Sequence, residues 1–229
     1  MEFPMTFSIV ARCELTGQFG VAISSSSPAV AARCAWAQAG TGAVATQNVT
    51  NPALGPRMLD ALRSSASATD AVSIARDSDG FPGYRQLLAV DTEGRTAIHS
   101  GENALGIWTS ATGKQCVAAG NLLANDGVPK AMIETFELTT GSLGDRLIAA
   151  LNAAMTAGGE AGPVHSAGLL IVDDQSWPYA ELRVDWLDDD CPIQAVSRAW
   201  EIYKTQAADY VTRALNPLAA PSYGVPGDE

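Results

Sequence analysis

The chain has 229 residues, with 14 Lys and Arg against 25 Asp and Glu, for a net charge of -11. Hydrophobic residues make up 47% and charged residues 17%, which is enough apolar material for a substantial core and excludes a disordered chain. The acidic balance excludes nucleic acid and anionic membrane surfaces as partners, because both need a basic face.

Alternation of apolar and polar residues predicts a first strand over Thr6–Arg12, with Phe7, Ile9 and Ala11 on one face and Thr6, Ser8 and Val10 on the other. A turn through Gly17 leads to a second alternating run, residues 19–24, so the two read as an antiparallel hairpin. The small residues Gly20, Ala22 and Ser24, like Gly42, Ala43, Ser166, Ala167 and Gly168, are expected where two sheets meet. Ser27 before Pro28 predicts a helix over residues 27–38. A strand follows over 42–47, then helices over 51–63 and 69–76, the second capped by Thr69. Residues 85–91 and 95–100 form another hairpin, and 115–119 a short buried strand. Helices are expected over 128–137 and 142–157, a strand pair over 166–172 and 179–186, and a last helix over 193–215.

This order lacks the regular strand-helix alternation of a doubly wound fold. It predicts an α+β protein, a four-layer αββα sandwich of two antiparallel sheets. Residues 1–5 read as an N-terminal extension, 6–215 as a single domain, and 216–229 as an irregular tail lying against the body or a neighbouring subunit. That tail and the aromatic pair Trp177 and Tyr179 lead to the expectation of a homo-oligomer. No apolar run reaches the roughly 18 residues of a membrane span, and no basic segment precedes an apolar one at the start. The expected location is therefore cytoplasmic, with no membrane partner.

Several familiar patterns fail. Cys13, Cys34, Cys116 and Cys191 have no Cys-x-x-Cys spacing and read as reduced core residues. His99 and His165 lie too far apart for a local metal motif, so neither a metal nor another cofactor is expected. Gly113-Lys114-Gln115 lacks the Ser or Thr of a phosphate loop. His165 and Ser166 are neighbours that point to opposite faces of a strand. Asp188, Asp189 and Asp190 read as a solvated turn.

The informative junction is Met5-Thr6 at the head of the first strand. A terminal threonine carries a hydroxyl nucleophile and an α-amine whose pKa, about 7.7–8.0, suits it to take the hydroxyl proton. No histidine is needed. With residues 1–5 attached, however, the Thr6 nitrogen is a peptide nitrogen and no base, so the chemistry requires their removal.

The run Met5 to Arg12, Gly20-Val21-Ala22, Gly42 to Gln47, Asn51-Pro52, Tyr84 to Leu87, Gly120-Asn121-Leu122-Leu123 and Leu182 to Asp185 together resemble the bacterial domain of unknown function 1028 family over residues 5–205. The resemblance implies an N-terminal nucleophile hydrolase-like fold and an amidohydrolase acting on a small amide or peptide. It makes Thr6 the nucleophile and base, and Asn121 a candidate oxyanion donor. Arg85 is a candidate for holding a substrate carboxylate, and Thr46, Gln47 and Asn48, at a strand end, are candidate substrate contacts. Many members carry a Ser-Lys pair at the end of the second strand, where this chain has Ser24-Ser25-Ser26-Ser27 and no lysine. The alternative reading is a non-catalytic ligand-binding or assembly module on the same fold.

Overall fold

A computed structural model describes residues Met5–Val225. Residues 1–4 of the predicted extension and 226–229 of the predicted tail lie outside the described residues.

The protein is α+β, with two antiparallel sheets and seven α-helices among the described residues. The strands are β1 (Thr6–Arg12), β2 (Phe19–Ser25), β3 (Ala35–Gln38), β4 (Gly42–Asn48), β5 (Arg85–Asp91), β6 (Thr96–Ser100), β7 (Thr109–Gly113), β8 (Cys116–Asn121), β9 (Ser166–Val172) and β10 (Ala180–Val184). The helices are α1 (Val30–Cys34), α2 (Leu54–Arg63), α3 (Ala68–Asp77), α4 (Val128–Leu138), α5 (Leu143–Thr156), α6 (Pro192–Tyr203) and α7 (Ala207–Leu215). The six-stranded sheet runs β10-β9-β2-β1-β8-β7 and the four-stranded sheet β3-β4-β5-β6.

The alternation in β1 is used on both faces. Phe7, Ile9 and Ala11 pack with Met132, Phe136, Leu147, Leu151 and Trp200 of α4, α5 and α6. Val10 points the other way, where Val21, Val117 and Ala119 meet Ala43, Ala45, Leu88 and Val90 of the four-stranded sheet. The opposite face of that sheet carries Val44, Leu87 and Ala89 against α2 and α3. Strands buried on both faces need apolar residues at successive positions, which fits a charged share of only 17%.

The small residues divide differently from expectation. Ala43 and Ala45 lie between the sheets, but Ala22 belongs to the helix-side core. Gly20 also faces the helices, since a Cβ there would come within 2.6 Å of Leu147 Cδ1. The pleat decides this: Phe19 and Val21 take the sheet-sheet side, so their neighbours must face α5.

The predicted helix over residues 27–38 is the five-residue α1, after which the chain turns into β3. Ala29 has φ 52, so a helix from Ser27 is interrupted before it begins. Residues 35–38 gain hydrogen-bonded partners by pairing with β4, and Trp36 packs over Gly55 of α2. The strand β7, which pairs with β8, has no counterpart in the sequence reading. The last predicted helix is two, α6 and α7, broken at Lys204–Gln206. Helix α3 is capped by Ser67, which accepts from Asp70 N, rather than by Thr69.

Candidate active site

Thr6 lies opposite Ser25 of β2 on one side and Asn121 of β8 on the other, and Ser25 lies opposite Ser166 of β9. Residues directly opposite in an antiparallel pair share a face. Asn121, Thr6, Ser25 and Ser166 therefore form a polar row across four strands at one end of the larger sheet. The row faces the smaller sheet, as Ser8 does, whose hydroxyl donates to Gln47 Oε1 at 2.6 Å.

Hydroxyls crowd the head of β1. Thr6 is 4% exposed, and its Oγ1 lies 3.2 Å from Ser25 Oγ. The Ser25 hydroxyl donates to the carbonyl of Met5. With that proton spent, Ser25 Oγ can only accept from its other neighbours, and its two lone pairs serve at most two of Thr6 Oγ1, Ser27 N and Ser27 Oγ. Ser27 N donates to Ser25 Oγ at 3.0 Å, and Ser27 Oγ lies 2.9 Å from it. The Arg33 guanidinium donates in turn to Ser27 Oγ at 2.8 Å. A cation is thus linked through two serines to the Met5 carbonyl. Arg33 reaches the end of β2 from α1, where the sequence offers no lysine.

Met5 itself is 9% exposed. Its N–H donates to Ser26 Oγ at 2.9 Å. Glu160, in the loop between α5 and β9, closes the same end: it bridges to Leu123, and Ala161 N donates to Leu122 O at 3.0 Å. Glu160 Oε2 accepts from Ser26 N at 3.0 Å, while Oε1 is buried without a partner. Burial pushes this carboxyl up to about 9, against the lowering effect of the Ser26 hydrogen bonds. At neutral pH it is protonated.

Asn121 belongs to a second network that ties the sheets together. Gln47 Nε2 donates to Ala119 O at 3.2 Å and to Gln86 Oε1 at 2.7 Å. Gln86 Nε2 donates to Gly120 O at 3.2 Å and Ser100 Oγ at 3.0 Å. A backbone carbonyl can only accept, so Ala119 and Gly120 fix both glutamine amides. Gln86 Oε1 must then receive Asn121 Nδ2, which it does at 3.3 Å, leaving Asn121 Oδ1 buried with no partner. The side chain therefore presents an acceptor beside Thr6. In this arrangement the Asn121 amide hydrogen bonds to Gln86, and the donor to the Met5 carbonyl is Ser25.

Of the predicted substrate contacts, Gln47 faces the row. Thr46 and Arg85 alternate to the other side of the smaller sheet. Thr46 Oγ1 lies 3.2 Å from Thr50 Oγ1. Asn48, at φ 72, donates to Tyr84 O at 2.6 Å and accepts from Leu105 N at 3.1 Å. Arg85 pairs with Asp79 at 2.6 Å and donates to the Val49 carbonyl. His165 stacks on Trp186, with ring centroids 4.3 Å apart. Cys34 and Cys116 are pushed up by burial to about 11 and about 12. Among the described residues no group of three His, Cys, Asp or Glu side chains could hold a metal ion, and no helix is long and apolar enough to cross a membrane.

Ser25, Ser26, Ser27, Arg33, Gln86 and Glu160 were not among the predicted site residues. Four consecutive serines after a strand were the available signal for the first three. Glu160 had none, since only its long-range bridge to Leu123 brings it here.

The profile of a family of unknown function (DUF1028) matches residues 6–196. The crystal structure of a Silicibacter pomeroyi protein assigned to that family is similar at 31% identity and a TM-score of 0.82, covering 90% of this chain and 93% of that chain. Anbu (ancestral beta-subunit) from Yersinia bercovieri is similar at 11% identity and a TM-score of 0.38, covering 89% of this chain and 97% of that chain. No curated protein matches the sequence.

Proposed function

Because the chain belongs to the DUF1028 family, whose function is unknown, we propose its activity from the site itself: an amidohydrolase in which Thr6, once terminal, is nucleophile and base. The observation that carries this reading is the Ser25 hydroxyl bound to the carbonyl of Met5, one residue before Thr6. A hydroxyl that holds a carbonyl oxygen beside a threonine hydroxyl is what acyl transfer requires. The reading includes a four-layer αββα arrangement of the N-terminal nucleophile type, supported by the facing antiparallel sheets with helices on their outer sides.

In the proposed reaction residues 1–5 are absent and the α-amine of Thr6 is free. The amine takes the hydroxyl proton as Oγ1 attacks the substrate carbonyl carbon. Ser25, backed by Ser27 and Arg33, donates to the developing oxyanion. The departing amine carries the proton away, leaving an acyl-threonine ester. Water, deprotonated by the same α-amine, then hydrolyses that ester and restores Thr6.

Intact-mass measurement on protein from its own host, combined with a threonine-directed β-lactone, tests this. A species beginning at Thr6 that gains one acyl group on that residue is expected. A mass retaining residues 1–5 throughout, or labelling that persists in Thr6→Ala, refutes it. One observation favours the second reading, a non-catalytic ligand-binding or assembly module: Thr6 lies buried beneath Met5 through a peptide bond. A module of that kind keeps its whole function in Thr6→Ala.

A further inference from the structure

Met5 shows what the head of β1 can hold. Its nitrogen donates to Ser26 Oγ at 2.9 Å and its carbonyl accepts from Ser25. Its thioether end lies against Gly162, where a Cβ would come within 2.6 Å of Met5 Cε. A backbone nitrogen, a carbonyl and an unbranched apolar side chain are therefore each cradled. These are the parts of an aminoacyl group.

The nitrogen end of this cradle is unfinished. A peptide nitrogen has one proton, and Ser26 takes it. Beyond Ser26 stands the Glu160 carboxyl, 5% exposed, whose Oε2 is held by Ser26 N at 3.0 Å and whose Oε1 has no partner. A buried carboxyl oxygen left without any hydrogen-bond partner is costly, so its retention points to a group that supplies one. An ammonium carries three protons and a positive charge, enough for Ser26 Oγ and Glu160 Oε1 together.

We infer that the site takes aminoacyl amides with a free α-ammonium group, bound where Met5 lies in the full chain and held by Ser26 and Glu160. The inference rests on the reading of Thr6 as the nucleophile of a chain from which Met5 has been removed. In the full chain Glu160 is neutral; an arriving ammonium displaces the carboxyl proton to solvent and gains a desolvated ion pair, which an uncharged analogue forgoes.

The test uses the chain beginning at residue 6, which retains β1 and every later strand and helix. Thr6→Ala in that chain keeps a bound amide from being consumed. Calorimetry compares methioninamide with its desamino analogue, which has the same side chain and amide but no amine. Methioninamide is expected to bind at least about tenfold tighter. Glu160→Gln, nearly the same in shape, should abolish that preference and leave the desamino analogue's affinity unchanged. Equal affinities, a preference that survives Glu160→Gln, or no binding of either compound overturns the inference. Because the nucleophile is absent from the measurement, a failure of Thr6 as catalyst leaves this result standing, and the reverse also holds.

Discussion

The hydroxyl of Ser25 donates to the carbonyl of Met5 while standing 3.2 Å from the hydroxyl of Thr6. One serine thus touches both the carbonyl and the hydroxyl. In the proposed enzyme, Ser25→Ala removes the donor to the oxyanion and should slow β-lactone acylation of Thr6 by about a hundredfold or more, the usual cost of one such donor. Arg33→Met acts one serine further away and should cost about tenfold, on the scale of a single charge-assisted hydrogen bond. Mass spectrometry of the time course checks both. Equal rates in wild type and Ser25→Ala would remove Ser25 from the chemistry.

The amide network makes a prediction about stability. Gln86 accepts from Gln47 and Asn121 and donates to Gly120 and Ser100, all in the space between the sheets. Gln86→Leu leaves several of these groups without partners, at about 1–3 kcal/mol for each buried group stranded. Urea unfolding should show a lower midpoint with an unchanged slope. A midpoint at the wild-type value would mean that water replaces the amide.

Glu160 predicts a dependence on pH. Its folded value, about 9, lies above the ordinary 4.5 because burial disfavours the charged form. The folded state therefore binds the proton more tightly than the unfolded state. Stability from this group is intact below 4.5 and falls as pH rises from 4.5 toward 9. Glu160→Gln removes the dependence, so the variant's melting temperature should exceed that of the wild type by a margin that grows across this window. Parallel pH profiles would show that the carboxyl is not buried in solution.

Asp145 gives the opposite dependence. Burial pushes it up, but hydrogen bonds from Ser142, Trp200 and Lys204 outweigh this and hold the carboxyl at about 2. It caps α5 and joins α5 to α6 through Trp200 Nε1 at 2.9 Å and Lys204 Nζ at 2.9 Å. A depressed acid contributes stability above its unfolded value of 3.8 that is lost as pH falls toward 2. Asp145→Asn should therefore destabilise at neutral pH and by only about half as much at about pH 3, as read by chemical denaturation at both.

How far these features could be read in advance follows from where their causes lie. Thr6 and Gln47 stand at the ends of predicted strands, whereas Asn121 lies beyond the predicted strand over 115–119 and comes from the family resemblance alone. Thr46 and Arg85 lie near the site in sequence but on the opposite face, a distinction that needs the register of β4 on β5. Residues 35–38 show no alternation, and only pairing with β4 makes them a strand. The break between α6 and α7 carries neither glycine nor proline to announce it. Glu160 lies in a loop whose sequence says nothing of β1, and its proximity is wholly tertiary.

Arg85 and Asp79 support the last prediction. Their side chains are 10% and 6% exposed and meet at 2.6 Å, with Asn51 Nδ2 donating to Asp79 Oδ1 at 3.0 Å. Arg85 also satisfies the Val49 carbonyl, which anchors the loop after β4. Removing one partner of a buried pair strands the other charge, whereas removing both can be nearly neutral. Arg85→Met should cost about 3–5 kcal/mol in urea unfolding, and adding Asp79→Leu should restore a large part of it. If Arg85 instead serves chiefly to hold a substrate carboxylate, its replacement leaves unfolding unchanged and the second substitution restores nothing. The double-mutant cycle separates the two roles without a known substrate.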